Sequence, residues 1–540
     1  MLVKVTGLSK HMGAKELIHE LDFAINPREK IALIGRNGHG KSTLLRILSG
    51  EDTEFQGQME RKKNLRVVLT RQEHLSNNEM SALEYILDTV PHYRTYEKAI
   101  QDYENGVNQD LHTYTEAVGY FSDNGYYYIK DLILETLKDF QLDPDKVHHQ
   151  LTTLSGGEKR FVELVRVMYS QSDLLLIDEP TNHMDYVGKE QFITWLKDAT
   201  ESIVLVSHDR DVLKYVNKII EIKDKKLIIF NGNYDHYLKQ NTMQTTSSVV
   251  EYENQLKRLD EAAKKVEWGN RMRAKSKAWK IRYDHWLRDY EKIKAETVKP
   301  SFWIDQDSKD TLDKDVADSY HKYKEKNISI NVKESKERIS ELLSMKNVSL
   351  GYEIPLFKDI NFSMGNNDRV FIKGRNGAGK STLVRTILAN YHKETPQAKL
   401  FEGVIKLGVD LRIGEYEQEI NTKYLSLGLG QAIKEAYRIH DLPLEDKNVK
   451  RLLAQYLFDP TLDEKQTLDT LSGGQKARFQ IIKMLANNPN LLILDEPTNH
   501  LDLPSIEELE NALQGFQGGI LYISHDNYFI KKMGGKVVEI

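Results

Sequence analysis

Gly35-Arg36-Asn37-Gly38-His39-Gly40-Lys41-Ser42 stands between Lys30-Ile31-Ala32-Leu33-Ile34, a short apolar run, and Thr43-Leu44-Leu45-Arg46-Ile47-Leu48, whose spacing opens a helix. A glycine-rich loop between a buried strand and a helix is a phosphate cradle. Glycines let backbone N–H groups approach an anion closely, and the helix N-terminus adds positive dipole. Gly35, Asn37, Gly38, Gly40 and Thr43 are therefore candidate nucleotide contacts, with Lys41 reaching the β- and γ-phosphates and Ser42 reaching Mg2+. One such loop could be a chance glycine turn. This one recurs as Gly374-Arg375-Asn376-Gly377-Ala378-Gly379-Lys380-Ser381, followed by Thr382, with Lys380 and Ser381 in the same roles.

The whole chain follows that repeat. Leu154-Ser155-Gly156-Gly157-Glu158 returns as Leu471-Ser472-Gly473-Gly474-Gln475, and Asp178-Glu179-Pro180-Thr181-Asn182-His183 returns as Asp495-Glu496-Pro497-Thr498-Asn499-His500. Ser207-His208-Asp209 returns as Ser524-His525-Asp526. Ser155 to Asp178 and Ser472 to Asp495 are both separations of 23 residues. The predicted architecture is α/β, with two copies of one P-loop domain at 1–240 and 341–540. Gln72 to Ser155 spans 83 residues but Gln418 to Ser472 spans 54, so the first copy carries an insertion. Its polar, tyrosine-rich character (Tyr93, Tyr96, Tyr103, Tyr114, Tyr120) and the Asn105-Gly106 turn signal predict a helical hairpin within 84–128.

The repeated residues carry a chemistry. Leu174-Leu175-Leu176-Ile177 and Leu491-Leu492-Ile493-Leu494 are parallel-strand runs ending in Asp178-Glu179 and Asp495-Glu496. The aspartates suit Mg2+, and the glutamates can orient and deprotonate an attacking water. Ser155 and Ser472 each precede a helix with two glycines, which makes a second anion site in each copy. One triphosphate does not need two such sites in one domain, so each serves the nucleotide of the other domain. His208 and His525 follow apolar strands, and their repetition points them to the γ-phosphate and the water.

These residues resemble the ATP-binding cassette superfamily over about four-fifths of the chain. The resemblance implies Walker A loops at Lys41 and Lys380, Q-loop glutamines Gln72 and Gln418 at the metal, and signature residues Ser155, Gly157, Ser472 and Gly474. It further implies D-loop aspartates Asp185 and Asp502, and two ATP molecules sandwiched head to tail. An adenine-stacking aromatic is expected at Tyr352; Met12 stands in its place in the first copy, Met184 replaces the leucine kept at Leu501, and His39 is bulky for its loop. The fused tandem with Glu-Pro-Thr-Asn-His in both copies looks like the ABC-F subfamily. Its members are soluble ATPases of the ribosomal exit (E) site, some translation factors and some conferring antibiotic resistance. The 84–128 insertion would be that subfamily's arm, and the linker its element approaching P-site tRNA.

The linker at 241–300 supports a projecting element on its own residues. Four of the five tryptophans lie in 268–303, and Trp279, Tyr283, Trp286, Tyr290 and Ile293 form one helical stripe, read as a packing seam. Gly269-Asn270 reads as an interruption, giving helices at 241–269 and 276–297 with a tip at 270–275 and a first helix of about 40 Å. Residues 264–299 hold 12 Lys/Arg and five acids, +7 in a chain of net charge −5. Arg271, Arg273, Lys275 and Lys277 crowd the tip and are candidate contacts to rRNA or tRNA phosphates. The connector at 301–340 includes alternating Asp and Lys, which reads as a solvated helix.

The 540 residues have no cysteine, which excludes disulfide frameworks, zinc ribbons and thiol catalysis. With 29% charged residues and mean hydropathy −0.55, no stretch reaches the ~20 apolar residues of a spanning helix. The N-terminus shows no signal-peptide pattern, and no C-terminal extension is expected after Ile540. The expectation is a cytoplasmic ATP hydrolase using ATP and Mg2+, monomeric with its cassettes paired internally, and with the ribosome as partner. Two other classes fit these residues less well. A transporter's ATPase subunit has no use for a basic hairpin, and a DNA-maintenance ATPase would carry zinc modules or far longer coiled coils.

Overall fold

The computed structural model describes residues 1–13, 15–70, 79–182, 184–297, 299, 303–309, 312, 314–324, 328, 330, 341–417 and 420–540. Gln72, Gln418 and His183 lie outside the described residues.

Each cassette pairs a parallel sheet with a small antiparallel one. In chain order the strands are β1 (Val3–Met12), β2 (Lys15–Ile25), β3 (Lys30–Gly35), β4 (Gln56–Arg61), β5 (Val67–Leu69), β6 (Leu174–Asp178), β7 (Ser202–Val206), β8 (Lys218–Lys223) and β9 (Lys226–Asn231). The second cassette supplies β10 (Leu343–Gly351), β11 (Pro355–Met364), β12 (Arg369–Lys373), β13 (Lys399–Leu407), β14 (Ile413–Tyr416), β15 (Leu491–Asp495), β16 (Gly519–Ile523) and β17 (Lys536–Glu539). The large sheets run β5-β6-β7-β3-β8-β9 and β14-β15-β16-β12-β17, and β9 alone is antiparallel. The order inserts β7 between β6 and β3, and β16 between β15 and β12. This brings the carboxyl ends carrying Asp178, His208 and the first P-loop side by side, where open α/β sheets bind ligands. Strands β6, β7, β15 and β16 are buried along nearly their whole length, which is why they read as unbroken apolar runs.

The hairpin occupies part of 84–128. Helices Tyr93–Glu104 and Leu111–Asp123 make the hairpin, turning at Gly106 (φ 73°), with Tyr103 stacked on Tyr114 at 4.2 Å. The flanks are core, because Tyr85, Ile86, Leu87 and Tyr126 are buried in the first cassette.

The linker helices are Tyr234–Met272 and Lys277–Glu296. The first has 39 residues, close to 58 Å at 1.5 Å per residue, longer than the sequence pattern suggests at both ends. Asn233 caps its start by accepting from the His236 N–H. Gly269 does not end it. A Cβ there would meet Trp286 Cε3 at 3.0 Å, so the glycine lets the two helices approach. The aromatic stripe is the packing seam: Trp268 packs on Trp279 and Trp286 at 4.8 and 5.8 Å.

The connector departs from the solvated helix expected of it. Ile304 and Tyr320 are buried with Val249 of the first linker helix. The Tyr320 hydroxyl accepts from the Ile304 N–H, and Ser319 donates to Glu253 at 2.7 Å. Lys309 reaches the other way, to Glu507 of the second cassette at 3.4 Å. The alternating charges conceal this because Tyr320 and its neighbours at helical spacing supply a short apolar face.

Candidate active site

Both P-loops take the same shape. The helices Lys41–Ser49 and Lys380–His392 start at Gly40 (φ 90°) and Gly379 (φ 104°), left-handed positions with no side-chain cap. Their first N–H groups thus face the loop, and a Cβ on Gly38 or Gly377 would meet nothing within 4 Å. Lys41 Nζ donates to the carbonyls of Gly35 and Arg36 at 2.7 and 3.2 Å, and Lys380 Nζ to those of Gly374 and Arg375 at 2.9 and 2.8 Å. Burial lowers both lysine pKa values, while the nearby carboxylates oppose the shift. A buried ammonium, unpaired helical amides and open space converging in one loop fit a polyphosphate.

Ser381 Oγ donates to Asp495 Oδ2 at 2.8 Å, and Ser42 makes the same pairing with Asp178. A hydroxyl and a carboxylate are hard oxygen donors suited to Mg2+. Among the described residues no three His, Asp or Glu side chains gather as a metal cage.

Glu179 and Glu496 follow these aspartates with φ of 47° and 51°, left-handed backbone that costs a glutamate on the order of 1–3 kcal/mol. Their N–H groups are held by the carbonyls of Val206 and Ile523, at the ends of β7 and β16. Burial, then the adjacent aspartate, pushes both carboxyls up to about 8. His208 Nε2 lies 3.6 Å from Glu179 Oε1, and His525 Nε2 3.3 Å from Glu496 Oε1, without hydrogen-bond alignment. Burial holds both imidazoles down to about 3, so they are neutral at pH 7. Base and histidine are thus together at each site, with β6–β7 and β15–β16 registering them.

Ser155 and Ser472 both cap their helices in reciprocal capping boxes, with Glu158 and Gln475. The cassettes meet head to tail. The Asn37 N–H donates to Asp502 Oδ2 at 3.2 Å, its side chain donates to the His500 carbonyl, and a Cβ on Gly474 would sit 2.2 Å from Asn37 Nδ2. The Asn376 N–H donates to Asp185 Oδ2 at 3.1 Å, but a Cβ on Gly157 would meet nothing within 4 Å. Signature contact is therefore tighter at the Lys41 site. Tyr352, half exposed, opens on a cleft of about 680 Å3 that Thr382 and Arg385 also line. Met12, at the end of β1, is similarly exposed. At the linker tip Arg271 pairs with Glu267 and Arg273 lies over Tyr283 at 5.1 Å, while Lys275 and Lys277 are exposed.

The family model described as ABC transporter matches residues 18–182 and 357–499, more than half of the chain. The chain belongs to the ATP-binding cassette family. It is an ATP hydrolase with two cassettes. It is 29% identical over 556 residues to the putative ATP-binding protein YdiF of Bacillus subtilis, covering 100% of this chain and 80% of YdiF. It is 29% identical over 534 residues to the probable ATP-binding protein YheS of Escherichia coli, covering 98% and 77%. Both relatives are of ABC-F type. The fold is shared with the archaeal ribosome recycling factor ABCE1, solved in complex with ribosomal stalk protein aP1: TM-score 0.56, 14% identity, 99% of this chain and 87% of that one. Among the described residues no helix is long and apolar enough to cross a membrane.

Three residues of this ABC site carry no signal in the motifs. Arg160 donates to the carbonyls of Asp178 and Glu179, clamping the strand end. Arg210 crosses to Glu510 and Asp526 of the second cassette, and Lys189 reaches the His525 carbonyl. The only hint is that all three break the repeat, standing where the second cassette has Ala477, Asn527 and Ile506.

Proposed function

We propose that this ATPase acts on the ribosome, binding near the exit site with its linker hairpin directed toward P-site tRNA, and that ATP binding and hydrolysis modulate translation. The observation that carries this is the net charge of +7 over residues 264–299, at the far end of a hairpin whose first helix is about 58 Å long, on an otherwise acidic chain whose cassettes contact each other across both P-loops. A phosphate backbone is the partner such a tip suits. No base-reading motif accompanies it, so shape and backbone contacts carry the binding. The stalk-protein complex of the archaeal fold relative and the ABC-F type of the full-length relatives support the same reading. The long linker and its connector favour ribosome protection against antibiotics as the form of that activity.

At each site, Lys41 with Ser42, or Lys380 with Ser381, would hold the triphosphate and Mg2+, together with Gln72 or Gln418. Bound Mg2+ neutralises phosphate charge and orients the γ-phosphoryl group. In their ionised form Glu179 and Glu496 take the proton of the attacking water; His208 and His525 hold that water against the γ-phosphate. Asp502 with Ser472, and Asp185 with Ser155, complete each site from the opposite cassette. Binding would depend on ATP because only closure builds both sites. Co-sedimentation tests this. The Glu179→Gln/Glu496→Gln protein should pellet with ribosomes in ATP and not in ADP; the same distribution in both nucleotides contradicts the proposal.

A further inference from the structure

Lys189 lies in the Tyr186–Asp198 helix, one turn after Asp185, with its side chain 4% exposed. Its Nζ sits 2.9 Å from Asp209 Oδ2 and 2.6 Å from Asp211 Oδ2, both on the segment that follows His208. It also donates to the backbone carbonyl of His525, across the interface, at 3.2 Å. An ammonium has three N–H donors, and these three acceptors match them. The chain of contacts continues, since the His525 N–H donates to Glu496 Oε2 at 3.2 Å. Asp211 accepts in turn from Asn527 Nδ2 at 2.8 Å, tying the same two segments a second time.

The pseudo-symmetric position cannot do this. Ile506 stands four residues after Asp502, as Lys189 stands four after Asp185, and it is buried and apolar. Lys189 and Ile506 line one central cavity between the two sites, together with Glu179, His208, Glu496 and His525.

We infer that Lys189 is a positioning residue for hydrolysis at the Lys380 site. It acts through the His525 carbonyl, seating His525 and Glu496 from the opposite cassette when the cassettes close. It ties that seating to the Asp209–Asp211 segment beside His208, so the state of the Lys41 site reaches the Lys380 site. With Ile506 in the second cassette, this link has no counterpart in the other direction. The inference rests on the ATPase chemistry and is independent of the ribosome.

The test measures steady-state ATP hydrolysis in otherwise wild-type protein and in the Glu179→Gln background, which isolates the Lys380 site. Lys189→Met alone strands two acids, so a second variant adds Asp209→Asn and Asp211→Asn. In both variants kcat should fall about tenfold or more, as slight misplacement of catalytic groups does, with KM for ATP unchanged. The acid-neutralised variant should recover the melting temperature of its parent without recovering kcat. Unchanged kcat in Lys189→Met overturns the inference. So does kcat that returns together with the melting temperature, which is the behaviour of a lysine that only stabilises the fold.

Discussion

The backbone N–H of Asn37 is bound by the carboxylate of Asp502, at 3.2 Å, from a position 465 residues away in sequence. Asp502 also accepts from the Ser505 N–H and so caps the helix that starts beside it. One carboxylate therefore fixes both the P-loop of one cassette and the helix of the other. Opening the cassettes must break the first bond while keeping the second. The Arg36 guanidinium, next to the Asn37 loop, helps hold the Asp502 carboxyl below the usual range against the cost of burial.

Asp502→Asn separates those two roles. Asparagine caps a helix about as well as aspartate, so the melting temperature should stay near wild type. The bond to the P-loop loses its charge, a change on the order of 1 kcal/mol. ATP turnover at the Lys41 site, measured in the Glu496→Gln background, should fall about fivefold. Turnover equal to that of the parent would remove Asp502 from the closed site.

The two sites should differ in nucleotide affinity. Taking Tyr352 as the adenine-stacking ring that Met12 cannot supply, stacking on an aromatic is worth about 1–3 kcal/mol. Tyr352→Ala should weaken nucleotide binding at the Lys380 site by that amount, and Met12→Tyr should strengthen it at the Lys41 site. Fluorescent-nucleotide titrations of Lys41→Ala and Lys380→Ala proteins report the sites separately. Equal affinities in the two would show that the tighter Gly474–Asn37 contact, not stacking, sets the balance.

The glutamates should cost stability when no Mg2+ or nucleotide is present. A carboxyl held at about 8 in the folded chain, against an unfolded value of 4.5, keeps its proton on folding. Folding then takes up protons between those values, so stability falls as pH rises from about 5 to about 8. Glu179→Gln/Glu496→Gln removes this term. The double variant should melt higher than wild type in chelator at pH 8, with the gap narrowing toward pH 5. A gap that does not change with pH would mean that the carboxyls are not buried in this way.

Gly269 gives a stability test outside the cassettes. Gly269→Val should push Trp286 from the seam and destabilise the hairpin by about 1–3 kcal/mol. Tryptophan fluorescence should shift toward exposed indole while ATPase in the free protein holds. Unaltered fluorescence would argue that the helices can part there at no cost.

The repeat made the cassettes, both P-loops and the carboxylate pairs legible, because each is a local pattern that glycine geometry or strand burial enforces. What stayed hidden is contact made only by closure. Lys189 reads as an ordinary helix lysine, and nothing near it in sequence names the His525 carbonyl. Gly269 read as a break because a glycine that ends a helix and one that admits a tryptophan look alike in one dimension. Ile304 and Tyr320 were masked by the charges around them, although their burial joins the connector to the linker base.

The most direct measurement is a salt titration of ribosome binding with the Glu179→Gln/Glu496→Gln protein in ATP, with and without Arg271→Ala, Arg273→Ala, Lys275→Ala and Lys277→Ala. These four lie at the linker tip, away from every P-loop and signature residue. If the tip meets phosphate, the quadruple variant binds more weakly at low salt. The slope of log affinity against log salt should then fall by about one unit per lost contact. Identical affinities and identical slopes would contradict the account and leave the tip as a solvated turn.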